Sequence, residues 1–249
     1  MTGNETLSLI TVIVPLSRPE LAEHVVDQFA RQSHPDKRLW IVENGRGIGA
    51  MQRQMLWADR VLSSGQAASL ARNTALDELK RSGGGYWCSW DDDDEYLPKY
   101  LSEVAACSSR AEVTGKEPHF VSYDDEHLFF FHAGRDSRFT ERCQGGTLSG
   151  WAETALPFPQ LRLGEDLRWC EAMRKVGARI WSRGIHHYLY RRRSAGPHQH
   201  ATGRQTIEMM IYTQGRGMYL GPVDPRVISG ALPLPEGRPV RPHERFMLQ

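Results

Sequence analysis

Apolar runs alternate with an amphipathic segment at the start of the chain. Residues 9–14 form a near-continuous β-branched run that ends at Pro15, and residues 39–42 form a second apolar run. Between them, apolar residues recur at helical spacing from Leu21 to Phe29. Runs of this composition are typical of parallel strands that are covered on both faces. The order strand, helix, strand therefore predicts a right-handed parallel crossover.

Two local signals predict where helices begin. Residues 17–20 match a capping box, which predicts Ser17 as the N-cap of the first helix. Pro98 begins a later helix whose inner face carries Leu101, Val104 and Ala105.

The pattern continues with a third strand at 60–63, a helix at 66–80 and a buried aromatic strand that ends at Trp90. Four strands are therefore expected in the first hundred residues.

The second half of the chain has a less regular pattern. Residues 119–122 and 127–131 predict an antiparallel hairpin beside the parallel strands. Residues 145–150 contain three glycines and predict a loop or a tight strand passage, where backbone could approach a ligand closely. A helix is predicted from Leu163 to a C-terminal cap at Gly177.

The end of the chain is rich in proline. Residues 179–181 and 186–190 predict short strands, and 204–213 predict a helix. From residue 215 onward, prolines recur too often for regular structure, which predicts an extended tail held against the body or a partner.

Composition excludes several classes of protein. The 249 residues suit one large domain or two joined halves, and the formal charge of +1 provides no global field toward nucleic acid or lipid. Four cysteines without a C-x-x-C pair indicate neither a zinc knuckle nor a disulfide framework, and a reducing cytoplasm fits best. No signal peptide and no run of eighteen apolar residues is present, so no integral membrane segment is expected.

Five acidic residues, 91–95, follow the aromatic strand directly. Adjacent carboxylates repel one another, so folding does not favour them and a multivalent cation would relieve the repulsion. Side chains two apart on an extended chain point the same way, so Asp91 and Asp93 could share one Mg²⁺ or Mn²⁺ while Asp92 turns elsewhere. A solvated acidic loop is the alternative, but the strand before the run and the helix after it favour a site.

Strand ends bring further polar residues to the same place. In an open parallel sheet, ligands bind at the carboxyl ends of the strands, and this geometry predicts a nucleotide site. The candidate binding residues are Pro15, Ser17, Arg18, Glu43, Asn44, Asp91 and Asp92.

Four segments together resemble, in order and spacing, the family 2 glycosyltransferases of the GT-A fold. They are residues 11–15, 41–45, 71–73 and 90–94. The resemblance implies an α/β fold with a Rossmann-like, mostly parallel central sheet, flanking helices and a small antiparallel addition. It also implies a nucleotide-diphosphate sugar donor, with Mn²⁺ or Mg²⁺ bridging the Asp-x-Asp motif and the diphosphate.

The resemblance also assigns roles to residues. It implies that Glu43 lies near the base and ribose, Arg72 near the base or diphosphate, and Asp91 with Asp93 at the ribose and metal. The chain departs from the usual pattern after the first strand, and Glu43 and Asn44 stand where two aspartates commonly end the second strand. These departures leave the base open, with a UDP sugar favoured.

Gly164-Glu165-Asp166-Leu167 resembles the segment that supplies the base in inverting members of the family. The resemblance implies Asp166 as the base and Glu165 as an alternate base or acceptor ligand. A helix N-terminal cap is the other interpretation of this acidic pair.

A histidine follows the arginine triplet 191–193 at a place where family members often contact metal or diphosphate. His198 is the first candidate and His200 the second. An arginine triplet is most often a solvated face, and a nucleic-acid patch is the other interpretation, although few aromatic residues are interleaved with it.

These features predict a metal-dependent inverting transfer of a sugar to an acceptor hydroxyl. A nucleotidyltransferase is an alternative, but it would normally show a glycine-rich loop after the first strand, and 15–17 contain no glycine. A non-catalytic nucleotide-sugar-binding protein would not need Asp91, Asp93 and Asp166.

The acceptor is left open among a glycan, a lipid-linked sugar, a protein, a small molecule and a modified nucleobase. The predicted organisation is a GT-A domain at 1–214, with a nucleotide-sugar half at 1–110 and an acceptor and catalytic half at 111–214. A Pro-rich extension at 215–249 is a candidate contact for a homo-oligomer.

Overall fold

A computed structural model describes residues 9–44, 58–64, 67–123, 128–132, 136–161, 164–192, 217–222, 224–234 and 238–239. In chain order the strands are β1 (Ile10–Leu16), β2 (Lys37–Glu43), β3 (Arg60–Ser63), β4 (Tyr86–Ser89), β5 (Glu95–Tyr96), β6 (Val113–Gly115), β7 (His119–Tyr123), β8 (Leu128–His132), β9 (Arg138–Thr140), β10 (Ser149–Trp151), β11 (Ile180–Ser182), β12 (Tyr188–Arg192), β13 (Gly217–Pro222) and β14 (Arg238–Pro239). The α-helices are α1 (Ala22–Ala30), α2 (Ala68–Arg81), α3 (Tyr100–Cys107), α4 (Glu165–Lys175) and α5 (Pro225–Ile228). The predicted α/β class is confirmed.

The larger sheet has the order β3-β2-β1-β4-β10-β6-β11-β9. β1 pairs in parallel with β2 and β4, and β2 pairs in parallel with β3, as the sequence predicted. β10 is antiparallel to both of its neighbours, and β6 and β11 return to parallel pairing. The first four strands therefore present their carboxyl ends at one edge.

Residues on alternate sides of β1 enter two different cores. Val12 and Val14 pack with Val25 of α1 and Leu101 of α3. Ile13, on the opposite face, packs with residues of α2 and α4. Each fully buried Val or Ile side chain contributes about 1.5–3 kcal/mol. Burial on both faces explains the continuous apolar run of this strand.

β1 continues through Pro15, so the expectation that Pro15 ends it was wrong. Pro15 is opposite Val42 of β2, and Leu16 is opposite Glu43. On the other side, the pairing of β1 with β4 stops at Ile13. Beyond that point one side of β1 has no strand partner, and a residue without an N–H is tolerated there.

The predicted capping box is also wrong. A 3₁₀ turn, Pro19–Leu21, precedes α1, its N-cap is Arg18, and no side chain caps either helix start. The Ser17 hydroxyl lies instead 3.4 Å from Oδ2 of Asp92. Ser17 thus contacts a carboxylate 75 residues away in the chain and does not cap the first turn of the helix.

The other helices agree with their predictions in type and place. α2 begins at Ala68 and α3 at Tyr100, with Leu101, Val104 and Ala105 buried. α4 is followed by Gly177, which has φ of 90° and accommodates the left-handed turn of the helix end. The predicted helix at 204–213 lies outside the described residues.

The second sheet has the order β14-β13-β8-β7-β12-β5 and is mostly antiparallel. The predicted hairpin, β7 with β8, is present. It belongs to this second sheet, which is the small antiparallel addition that was predicted beside the parallel strands.

The tail was expected to lack regular structure, but β13, α5 and β14 lie within it. Val227 and Ile228 pack against Phe120, Ile185 and Leu189, so α5 is held against the body as predicted. The division at residue 214 stays a prediction.

Across the ranges described above, every helix is too short or too polar to span a bilayer.

Candidate functional site

The ends of β1, β2 and β4 meet at one edge of the larger sheet. The backbone N–H of Asn44 donates to the carbonyl of Leu16 at 3.1 Å, and that of Trp90 donates to Ile13 at 3.0 Å. The backbone N–H of Ser17 donates to Oδ2 of Asp92 at 3.2 Å. The predicted candidates after the three strands are therefore neighbours.

Arg72 of α2 lies at the centre of this edge. Its Nη2 donates to Asp91 at 2.6 Å, its Nη1 to Glu165 at 3.2 Å and its Nε to Ser89 at 3.0 Å. Only 3% of its side chain is exposed. Burial lowers the pKa of Arg72, but the adjacent carboxylates raise it by more, so the guanidinium is charged.

Asn73 holds the aromatic surface beneath Arg72. Its side-chain amide exchanges two hydrogen bonds with the backbone of Phe158, at 2.7 and 2.9 Å. The Phe158 ring centroid is 5.6 Å from the Arg72 guanidinium. The adjacent pair Arg72 and Asn73 thus combines a charged contact with the support that orients it.

Asp92 and Asp93 both face Arg18, which follows β1. Arg18 Nη2 contacts Asp92 Oδ1 and lies 3.0 Å from Asp93 Oδ2. The expected alternation of side chains was wrong because residues 92–94 form a turn and are not extended. Asp92 does turn away from Asp91, as expected, but Asp93 accompanies it. Burial raises the pKa of Asp92 even though Arg18 lowers it.

Asp94 is fully buried and points into the second sheet. Its carboxylate accepts a hydrogen bond from Tyr188 Oη at 2.6 Å and one from the Arg191 backbone at 3.1 Å. Its carbonyl accepts one from Gln28 Nε2 at 3.0 Å. Burial raises the pKa of Asp94 well above its ordinary value.

The acidic run is therefore stabilised by the protein itself. Arg72, Arg18 and Tyr188 each contact one or two of its carboxylates. The expectation that folding does not favour these acids was wrong, because these cationic and hydroxyl groups offset part of the repulsion. Some repulsion persists: burial first, and then Asp93 and Asp92, raise the pKa of Asp91 to about 6 in spite of Arg72.

The turn Gly145–Thr147 closes the site opposite the acidic run. Tyr96 Oη donates to the Gly146 carbonyl at 2.8 Å and accepts from the Asp91 backbone at 2.8 Å. A Cβ on Gly146 would lie 2.7 Å from Asp91 Oδ2 and 2.9 Å from Tyr96 Oη. A side chain at this position would therefore require Asp91 or Tyr96 to shift. The backbone of this segment thus lies close to Asp91, and its predicted approach to a ligand stays a prediction.

Asp166 lies in the first turn of α4, after the left-handed Gly164, which has φ of 73°. Its Oδ2 accepts from the Gly145 N–H at 3.1 Å and its Oδ1 from the Leu167 N–H at 2.8 Å. Burial and the adjacent Glu165 raise its pKa, while these two hydrogen bonds lower it. Glu165 points instead to Arg72, so the two adjacent acids have different partners.

Glu43 and Asn44 are both 3% exposed at the end of β2. Within the described ranges, both Glu43 carboxylate oxygens and the Asn44 Oδ1 have no hydrogen-bond partner. Burial raises the pKa of Glu43. An unsatisfied buried polar group costs about 1–3 kcal/mol, more for a charged one, so a hydrogen-bonding partner at these two side chains would be stabilising.

Asp91 and Asp93 are chemically suited to a divalent cation. Both are partly exposed, at 29% and 23% of the side chain, and each contacts an arginine. Two carboxylates with substrate phosphates and water are a usual set for Mg²⁺. Among the residues that the structure covers, no group of three His, Cys, Asp or Glu side chains could hold a metal. His198 and His200 lie outside those residues.

Pro15 has a different place from the other candidates. It is buried within β1 and faces Val42 across the strand pair. Its role in nucleotide binding stays a prediction.

Sequence reasoning missed several residues that build the site. Ser89, Tyr96, Phe158 and Tyr188 each contact a candidate residue directly. No local pattern identifies them, because each contact joins segments that are distant in the chain. The exception is Tyr96, five residues beyond Asp91.

Comparison with known proteins identifies the fold. A mannosyltransferase from Pyrobaculum calidifontis, PcManGT in complex with GDP-Man and Mn²⁺, is similar with a TM-score of 0.56 and 14% identity, over 84% of this chain and 61% of that one. Residues 1–349 of S. aureus TarS are similar with a TM-score of 0.54 and 16% identity, over 74% of this chain and 60% of that one. No protein-family model and no curated protein matches the sequence.

These similarities confirm the GT-A fold, as the sequence resemblance implied. The chain spans about three fifths of the length of either structure. At this identity the likeness describes architecture, and the activity has to be argued from the site.

Proposed function

We propose that this protein is a metal-dependent inverting glycosyltransferase that moves a sugar from a nucleotide-diphosphate sugar to an acceptor hydroxyl. One observation carries the proposal: the Arg72 guanidinium joins Asp91 of the acidic run to Glu165, next to Asp166. One buried cation thus joins the carboxylate expected at the donor to the acid next to the expected base, at the ligand-binding edge of a GT-A fold.

The donor's nucleoside would lie against the end of β2. Glu43 and Asn44 provide buried acceptor oxygens without a partner in the described ranges, which supports contacts with base N–H or ribose O–H groups. The family resemblance favours a UDP sugar.

Asp91 and Asp93 would hold Mn²⁺ or Mg²⁺, which supplies positive charge to the donor diphosphate when bound. PcManGT, with the same fold, was determined with GDP-Man and Mn²⁺. Arg72 and Arg18 lie beside these carboxylates and add fixed positive charge near the leaving group.

Asp166 would take the proton of the acceptor hydroxyl while that oxygen attacks the anomeric carbon. Two backbone N–H groups fix its carboxylate, and burial raises its pKa, which makes it a stronger base than an exposed aspartate. Direct attack from the face opposite the leaving diphosphate inverts the anomeric carbon. General-base catalysis of this kind contributes about 10²–10⁴-fold.

Nucleotidyl transfer is the second candidate, favoured by one feature. Arg18 follows β1, where nucleotidyltransferases normally carry a basic residue, although the loop lacks their glycines. In this reaction the phosphate of a sugar phosphate would attack the α-phosphorus of a nucleoside triphosphate, forming the nucleotide sugar and releasing pyrophosphate.

Product analysis distinguishes these reactions. The purified chain is incubated with UDP, GDP, TDP and CDP sugars and candidate acceptors, with Mn²⁺ or with excess chelator, and products are identified by mass spectrometry. Release of a nucleoside diphosphate with a glycosylated acceptor, lost in chelator, is the expected result. Formation of a nucleotide sugar from a nucleoside triphosphate and a sugar 1-phosphate would instead establish the second candidate. Donor binding without any turnover would identify a non-catalytic binding protein.

A further inference from the structure

A polar cleft of about 290 Å³ lies beside α4, outside the site described above. One wall is the flank of α4, formed by Leu167, Glu171 and Arg174. The other wall comes from the chain around β9, including Thr140 and Arg142. The volume is near the lower end of the range for small-molecule pockets, and so accommodates one compact ligand unit.

Each wall includes a residue from a chain segment that donates a hydrogen bond to Asp166. Leu167 is the next residue in α4, and its N–H donates to Asp166 Oδ1 at 2.8 Å. Arg142 precedes Gly145 by three residues, and the Gly145 N–H donates to Asp166 Oδ2 at 3.1 Å. The cleft is therefore formed by the same two segments that hold the carboxylate that we propose as the base.

The cleft contains a preorganised hydrogen-bonding group. Glu117 is only 8% exposed, yet it lines the cleft. Thr140 Oγ1 donates to its Oε2 at 2.6 Å, and its backbone N–H donates to Ser182 Oγ at 3.2 Å. A buried carboxylate held in this way can accept hydrogen bonds from a ligand without first being ordered.

The side chains that line the cleft indicate which class of acceptor it could bind. Three carboxylates (Glu117, Glu141 and Glu171) and two guanidiniums (Arg142 and Arg174) mix acceptors with donors. Among the described residues, no aromatic ring lines the cleft to stack on a nucleobase, and the one leucine there is too little apolar surface for a lipid chain. The excess of carboxylates disfavours an anionic group. A neutral molecule with many hydroxyls fits this lining.

We propose that this cleft is the acceptor subsite and that it binds a neutral saccharide unit, an inference that rests on the proposed glycosyltransferase function. The carboxylates accept hydrogen bonds from the sugar hydroxyls, the guanidiniums donate to them, and Leu167 contacts the C–H face of the ring. The acceptor is thereby a glycan or a glycoside.

Saturation-transfer NMR with a panel of methyl hexopyranosides, adenosine and octanoate tests this subsite without knowledge of the true acceptor. We expect transfer to at least one methyl glycoside and none to adenosine or octanoate. Loss of a hydrogen bond to a charged group should weaken this binding about tenfold or more in Glu117→Gln and in Arg142→Gln. Arg174→Gln changes an exposed cleft residue, so it tests the site even if a buried substitution impairs folding.

Lys175→Gln, at an exposed position of the same helix outside the cleft, is the matched control and should bind like the parent. The subsite would be refuted if Arg174→Gln and Arg142→Gln bound the glycoside as tightly as the parent does. It would also be refuted if the parent preferred adenosine or octanoate. Nucleotide-sugar binding is measured separately by calorimetry. If the parent binds the donor but no methyl glycoside, only the cleft proposal fails. If the parent shows neither donor binding nor turnover, the proposed function itself is refuted.

Discussion

Arg72 and Asp91 are joined by a hydrogen bond of 2.6 Å between Nη2 and Oδ1, across a separation of 19 residues. The same guanidinium reaches Ser89 and Glu165, so one side chain connects α2, β4 and α4. A planar group with several donors can make these contacts at once, and an ammonium cannot.

Arg72→Lys should therefore lower the free energy of unfolding by about 2 kcal/mol or more, because the buried carboxylates lose part of their pairing. Chemical denaturation measures this change. Arg81→Lys, also in α2, is the control: Arg81 is mostly exposed and contacts Glu78, so its substitution should change stability by less than about 0.5 kcal/mol. Equal effects of the two substitutions would contradict the central role of Arg72.

Gly146→Ala should weaken donor binding at least about tenfold, because the new Cβ would displace Asp91 and Tyr96. Calorimetry with nucleotide sugars and Mn²⁺ gives the affinity. Gly150→Ala is a matched control, since its Cβ would lie 2.7 Å from the Glu112 carbonyl, away from the site. We expect Gly150→Ala to lose stability but to retain donor affinity where it is folded.

Asp91→Asn should change how stability depends on pH. The folded pKa of Asp91, about 6, exceeds its ordinary value of 3.8, so between these pH values the folded protein holds a proton that the unfolded chain has released. Through this group, stability is lost as the pH rises from 4 to 6. Relative to the parent, the variant should gain roughly 2–3 kcal/mol between pH 4 and pH 7. A difference in unfolding free energy that is constant over this range would contradict the raised pKa.

Removal of the metal or of Asp93 should weaken donor binding. Asp93→Ala, or parent protein in excess chelator, is expected to bind the nucleotide diphosphate at least about tenfold more weakly, because a carboxylate ligand or the cation itself is lost. Glu95→Ala is the control in the same acidic run, since Glu95 pairs with Arg191 instead. Undiminished affinity of Asp93→Ala in calorimetry would exclude this metal position.

Asp166→Asn should lower the turnover number at least about a hundredfold with near-normal donor affinity, because an amide cannot accept the proton. Asparagine can keep only one of the two hydrogen bonds from Gly145 and Leu167, so circular dichroism should confirm that the variant is folded. Glu165→Gln should be milder, since Glu165 faces Arg72. Turnover close to the parent rate in Asp166→Asn would assign the base to another residue.

The sequence predicted the elements with strong periodicity. β1, β2 and β4 carry apolar runs because both of their faces are buried, and α1 and α2 show the spacing of a single buried face. It did not predict β5, β6 or β9, because strands of two or three residues are too short to show a period. Tertiary pairing alone defines them.

The site was predicted less completely, for a related reason. The positions of Asp91, Glu43 and Arg72 follow from strand ends and from the family resemblance. The partners of the acidic run do not follow from these signals. Asp93 meets Arg18 across 75 residues of chain, and Asp94 meets Tyr188 across 94. Such contacts depend on how the two sheets are assembled, which no local pattern records.

The four aspartates from Asp91 to Asp94 contact three different parts of the molecule. Asp91 meets α2, Asp92 and Asp93 meet the segment after β1, and Asp94 meets β12 of the second sheet. Insertion or deletion of one residue in this segment would present each carboxylate to the wrong partner. The length of the segment is therefore fixed by its surroundings, and through Asp94 the segment also ties the end of β4 to β12 of the second sheet.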